Sequence, residues 1–138
     1  DKAAFKAYRK ALDYNANNIL VLNNYAYFLS LKNQELERAL EMSYRAMSGE
    51  PGNAAYVDTY AWILHLLGRN DEAKTYMRQA LTISSQRDAS LLCHYGDILW
   101  ALGEKFMAET YWKKAIERGY DSREMEAHIA EIKANTKQ

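Results

Sequence analysis

One cysteine, one proline and six glycines in 138 residues rule out or disfavour several kinds of protein. A lone Cys93 excludes an internal disulfide framework and a cysteine-built zinc module. It fits a reducing compartment without excluding an oxidising one. So few breakers disfavour a β-rich fold with many Gly/Pro turns and favour helices joined by short turns. Net charge is absent as well, with 18 Lys and Arg against 18 Asp and Glu. That removes the electrostatic case for nucleic acid or an anionic membrane surface as partner. No apolar run approaches the roughly 18 residues of a membrane-spanning helix. No signal peptide is visible.

What is present is repetition. Hydrophobic residues make up 49% of the chain, enough for a packed core, and the length suits one domain. Ala4, Ala39, Ala73 and Ala108 recur at intervals of 35, 34 and 35 residues. Ala11, Ala46, Ala80 and Ala115 repeat the same intervals. A second register agrees, since Tyr25, Tyr60 and Tyr95 are each 35 apart. Periods of this size mark stacked supersecondary units.

Each unit reads as two helices, A then B. In the central one, Tyr56, Val57, Tyr60, Ala61 and Leu64 form one apolar stripe at helical spacing. Gly68 breaks the helix, and Asn70 or Asp71 can cap the next. Ala73, Tyr76, Met77, Ala80 and Leu81 form the second stripe. The small residues Ala61 and Ala73 allow close approach of helix backbones. The whole chain, 1–138, divides into a B helix whose own A helix is missing (1–18), repeats at 19–53, 54–88 and 89–121, and a capping helix with its tail (122–138). Asp1 thus falls mid-repeat, and the sequence reads as a piece of a longer protein. Asn17 or Asn18 caps the first A helix. Asn33 starts the B helix after it. Asp121 with Glu124 resembles a capping box. The last helix is largely polar, leaving Met125, Ile129 and Ile132 to pack, as an end cap requires.

These residues resemble the tetratricopeptide repeat. The third unit, with Leu92, Tyr95, Gly96, Leu99, Ala108, Trp112 and Ala115, matches its pattern best. The second has Val57, Tyr60, Ala61, Leu64, Ala73, Met77 and Ala80. The first has Leu22, Tyr25, Ala26, Leu29, Ala39, Ser43, Ala46 and Pro51, the one closing proline. The resemblance implies an all-α fold, a right-handed α-α superhelix (tetratricopeptide solenoid) of antiparallel helix pairs. A narrower likeness lies in VDTYAWILHLLGRNDEA and HYGDILWALGEKFMAETYWKKAI. These segments look like the C-terminal repeats of bacterial cell-envelope adaptor proteins, which implies a periplasmic or outer-membrane-associated location, with a cytoplasmic one as the alternative.

In that family the A helices line a concave groove, so A-helix positions off the core stripe are candidate partner contacts. These are Asn23, Asn24, Tyr27 and Ser30, then Asp58, Thr59, Trp62 and His65, then His94, Asp97 and Trp100. Asn, Asp and His can bond an extended backbone, and Trp and Tyr supply the rigid area typical of binding hot spots. None of these positions is basic, so the carboxylate-clamp mode of some tetratricopeptide domains is rejected. Asp58 and Asp97 favour a neutral or basic segment.

Plainer readings stand beside these. Trp62 and Trp100 could equally pack between adjacent A helices. His65 and His94 near Asp58 and Asp97 invite zinc, but no metal-ligand spacing is present, so hydrogen-bonded histidines are the simpler reading. Cys93 and His94, adjacent on a helix, point about 100° apart and cannot form a nucleophile–base pair. Cys93 then reads as a small, semi-buried residue. The methionines read as core filler. No catalytic, cofactor or metal pattern is found. The leading expectation is a protein-interaction scaffold. The alternatives are glycan or peptidoglycan-fragment binding through Tyr27, Trp62 and Trp100, and a structural or dimerising segment.

Overall fold

The computed structural model describes residues 2–15 and 17–136. They form eight helices and no strand: α1 (Lys2–Tyr14), α2 (Ile19–Lys32), α3 (Leu36–Gly49), α4 (Ala54–Leu66), α5 (Asn70–Ile83), α6 (Ala89–Ala101), α7 (Lys105–Glu117) and α8 (Ser122–Asn135). The expected helix start at Asp1 and the tail residues Lys137 and Gln138 lie outside the described residues.

The two kinds of helix start differently. Side chains of Asn18, Asn53, Asp88 and Asp121 accept from the amides of Val21, Tyr56, Leu91 and Glu124. Each satisfies a donor that the helix itself leaves orphaned. These caps open α2, α4, α6 and α8. The helices between them, α3, α5 and α7, come after Glu35, Arg69 and Glu104 and have no side-chain cap. The expectation that Asn70 or Asp71 caps α5 is therefore corrected. Asn70 is the first helical residue, and its Oδ1 is engaged by His65. Asn33 does not start a helix either. It sits at φ 53° in the turn after α2, as Gly68 and Gly103 sit at φ 80° and 84° after α4 and α6. All three occupy the left-handed region, which Gly and Asn tolerate best.

Helices pair as α2 with α3, α4 with α5 and α6 with α7, and each pair packs on the next. The helices α2, α4 and α6 also touch one another in succession along one face. One core runs through the stack. Ala39, Ala73 and Ala108 are fully buried at the crossings, and so are Ala46, Ala80 and Ala115. In the third pair, Gly96 of α6 faces Trp112 of α7. An ideal Cβ on Gly96 would stand 2.5 Å from two atoms of the Trp112 indole. The largest side chain in the core thus needs the smallest residue opposite it. Four of the five methionines are buried, but Met107 is 41% exposed and fills no core gap. On α8, Met125 is fully buried while Ile129 and Ile132 pack half-buried against the core.

Candidate partner-binding face

The face built by α2, α4 and α6 contains every expected contact residue, but it divides them. Asn24 is exposed, Tyr27 is 47% exposed, and Asp58, Trp62, His65, His94 and Trp100 are half-buried. Asn23, Ser30, Thr59 and Asp97 are buried. Their reading as groove-surface residues is corrected, for two reasons. Ser30 and Thr59 turn their hydroxyls back onto the carbonyls of Tyr27 and Ala55. Asn23 and Asp97 lie where a neighbouring helix covers them. The Asn23 Oδ1 has no hydrogen-bond partner, a deficit that costs about 1–3 kcal/mol.

At the joint of α4 and α6, the His94 Nδ1–H donates to Asp58 Oδ1 at 2.8 Å. The Trp62 ring stacks on His94 with centroids 4.2 Å apart, and His65 lies 4.7 Å from the same ring. His65 in turn donates to Asn70 Oδ1 at 2.6 Å. The two imidazoles are tuned in opposite directions. Burial presses His94 downward, but the hydrogen bond and charge of Asp58 outweigh it and leave His94 above its ordinary value. Burial dominates at His65 and lowers it, against the bond to Asn70.

Next to this joint, between α6 and α8, Asp97 does different work. It is 4% exposed and accepts from Trp112 Nε1 at 2.9 Å. Both its oxygens lie 2.8 Å from His128 Nε2. That hydrogen bond, helped by the Cys93 thiol, pushes His128 up to about 10. Burial and the same thiol push Tyr120 up to about 12. Asp97 therefore anchors α8 to the stack and cannot present a charge to a partner. Trp100 lies beneath the end of the same helix. Its Nε1 donates to Thr136 Oγ1, and the ammonium groups of Lys105 and Lys133 stand 5.0 and 5.4 Å from its ring.

The sequence reading missed His128. The repeat itself pointed to it, since His128 comes 34 residues after His94. It also missed Leu20 and Leu31, 58% and 63% exposed. With Asn24 and Tyr27 they keep i, i+4, i+7, i+11 spacing and share one face of α2. Cys93, read as semi-buried, is 3% exposed and faces His128 and Tyr120.

Stacked antiparallel helix pairs with a polar and aromatic face define a helical-repeat scaffold. The chain belongs to the tetratricopeptide repeat family, whose model matches residues 1–119. No curated protein sequence matches it. Solved structures share the fold. PilF of Pseudomonas aeruginosa is 24% identical with a TM-score of 0.74, covering 90% of this chain and 56% of its own. MamA is 17% identical with a TM-score of 0.72, covering 83% of this chain and 66% of its own. YrrB, described as a tetratricopeptide protein with an unusual peptide-binding site, is 26% identical with a TM-score of 0.71. That match covers 86% of this chain and 60% of YrrB. The chain thus spans between 56% and 66% of the length of these three structures.

Proposed function

We propose that the chain is a protein-interaction module that takes a neutral, partly apolar peptide segment across α2 and α4. Proteins of this family are in general non-enzymatic scaffolds. One observation carries the reading: Leu20, Asn24, Tyr27 and Leu31 form an exposed stripe on α2, the helix that packs against α4, which carries Trp62. Such a stripe supplies apolar area, and Asn24 and Asp58 supply bonds for a peptide backbone. The peptide-binding description of YrrB is consistent with it. A basic segment would need free charge at Asp58 and Asp97. Asp97 is paired and buried, and Asp58 is matched by His94, so a neutral segment fits better.

Glycan stacking needs an open aromatic face. Trp62 carries His94 on its ring, and Trp100 carries two ammonium groups. Those contacts favour the peptide reading. Membership of a bacterial envelope complex rests on the likeness of the two sequence segments alone, and cell fractionation with an antibody to the chain would test it.

The decisive experiment is a pull-down from the native host with the Tyr27→Ala/Trp62→Ala double variant. Each aromatic anchor lost should cost about 1–2 kcal/mol, so capture should fall at least tenfold with helicity retained. Unchanged capture would sink the assignment of this face. Light scattering on the same samples separates a partner from self-association, the structural alternative.

A further inference from the structure

Cys93 and Asp97 lie one turn apart on α6, so their side chains share a face. His128 of α8 stands opposite. The thiol sulfur, a carboxylate oxygen and an imidazole nitrogen all lie within 4.8 Å of one another. No other group of three such residues converges this way among the described residues. The repeat makes the arrangement legible. Cys93 occupies the position held by Asp58 one unit earlier, five residues after the helix cap, and meets an imidazole of the next capped helix as Asp58 does. At the first joint a carboxylate meets an imidazole. At the second, a thiol takes the carboxylate's place and a further carboxylate, Asp97, is added.

We propose that Cys93, Asp97 and His128 bind a thiophilic divalent transition-metal ion of the zinc class, which staples α8 to the third helix pair. Thiolate, imidazole and carboxylate are the donors a borderline ion takes together, whereas magnesium and calcium call for oxygen alone. Three protein donors leave a fourth position for water. Solvent reaches the site past His128, whose side chain is 31% exposed. The carboxylate is already oriented from behind by Trp112 Nε1, a partner that is itself 1% exposed and held by the core. Outer partners of this kind fix ligands at metal sites.

The fit asks for side-chain rotation only. Bonds of about 2.0–2.3 Å place tetrahedral donors roughly 3.3–3.8 Å apart. The 2.8 Å contact between Asp97 and His128 opens slightly, and the thiol closes in. The ion takes the place of the proton now held between Nε2 and the carboxylate. On binding, the Cys93 thiol and His128 Nε2 each release one proton to solvent, and no oxidation state changes.

The test is titration of the chelator-stripped full chain with Co²⁺, a spectroscopic stand-in for Zn²⁺. One equivalent should produce a near-ultraviolet sulfur-to-cobalt charge-transfer band, and Zn²⁺ should abolish it. Zn²⁺ should also raise the midpoint of thermal unfolding. Cys93→Ser should remove the band, and His128→Gln should weaken binding by at least about tenfold. His94→Gln should leave both intact, which separates this site from adventitious surface histidine binding. Absence of the band in folded wild-type protein would overturn the proposal. So would a band of undiminished affinity in His128→Gln, or an equal Zn²⁺ shift in Cys93→Ser. If a variant fails to fold, the Cys93 ¹³Cβ resonance of the wild-type protein decides. A downfield move on adding zinc supports ligation, and an unmoved resonance refutes it.

Discussion

A single absent methyl group at Gly96 makes room for the Trp112 indole, and through it for the Trp112–Asp97 hydrogen bond. Alanine is the better helix former by about 1 kcal/mol, yet here its Cβ meets an indole that the core holds in place. Overpacking of this kind costs about 1–3 kcal/mol, so Gly96→Ala should be net destabilising. Its urea midpoint should fall below that of the wild type, and a midpoint unchanged or raised would refute the close-packing account. His65 makes a second prediction. Burial lowers its folded-state pKa below 6.5. The unfolded chain then takes up the proton first, so stability falls as pH drops through 6.5 toward the folded value. His65→Gln should lose less stability over that range, read as the difference in urea midpoints, and match the wild type's pH response above about pH 7.5. Residue identities were legible where the period of 34 or 35 fixed them, as for Ala61, Ala73 and Gly96. Burial at the edge of a stripe was not. Whether Asp97 meets solvent is set by the packing of a helix that comes 31 residues later in the chain, which the local pattern does not encode.

Among the elements, α8 was readable as a helix from its Asp121 start and the spacing of Met125, Ile129 and Ile132. Its attachment was not. Asp121 places α8 in the class of α2, α4 and α6, all opened by a side-chain cap, but α8 packs less closely on the helix before it than α4 and α6 do. Its lock is the ion pair of His128 with Asp97, and Trp100 with Thr136 closes the far end. His128→Gln removes the charge partner of a carboxylate that is 4% exposed. The cost should be about 1–3 kcal/mol, concentrated in α8. Amide hydrogen exchange should quicken there and in α6 while α4 keeps its protection. Uniform quickening across all helices would contradict a local lock. The same variant should expose Trp100, which its sequence position suggested as a groove residue but which α8 covers.

Across the molecule, each helix touches only near neighbours in the stack. Such chains behave as a row of coupled units, which is why a sequence period sufficed to give the architecture. It did not give the division of one face into an exposed stripe on α2 and a closed joint under α8. That division arises because α8 bonds to Asp97 and Trp100 of α6, a contact across units that a repeating pattern averages away.

The spacing of Asp97 and His128 along the chain also bears on synthesis. Helix pairs can form in order as the polypeptide leaves the ribosome, since each closes within its own unit. Two carboxylates are exceptions, Asp58, whose partner His94 comes from the next unit, and the more deeply buried Asp97. For Asp97 the wait ends only at α8. The imidazolium that pairs with Asp97 arrives 31 residues later, so a nascent third pair holds a carboxylate whose partner has not yet been made. A chain ending at Tyr120 mimics that moment. It should lose exchange protection in α6 and α7 and keep it in α4 and α5. Equal protection in both would show that the third pair stands without α8. On the expected outcome, the third pair is stable only once α8 has been made, and the order of translation becomes part of how the array matures.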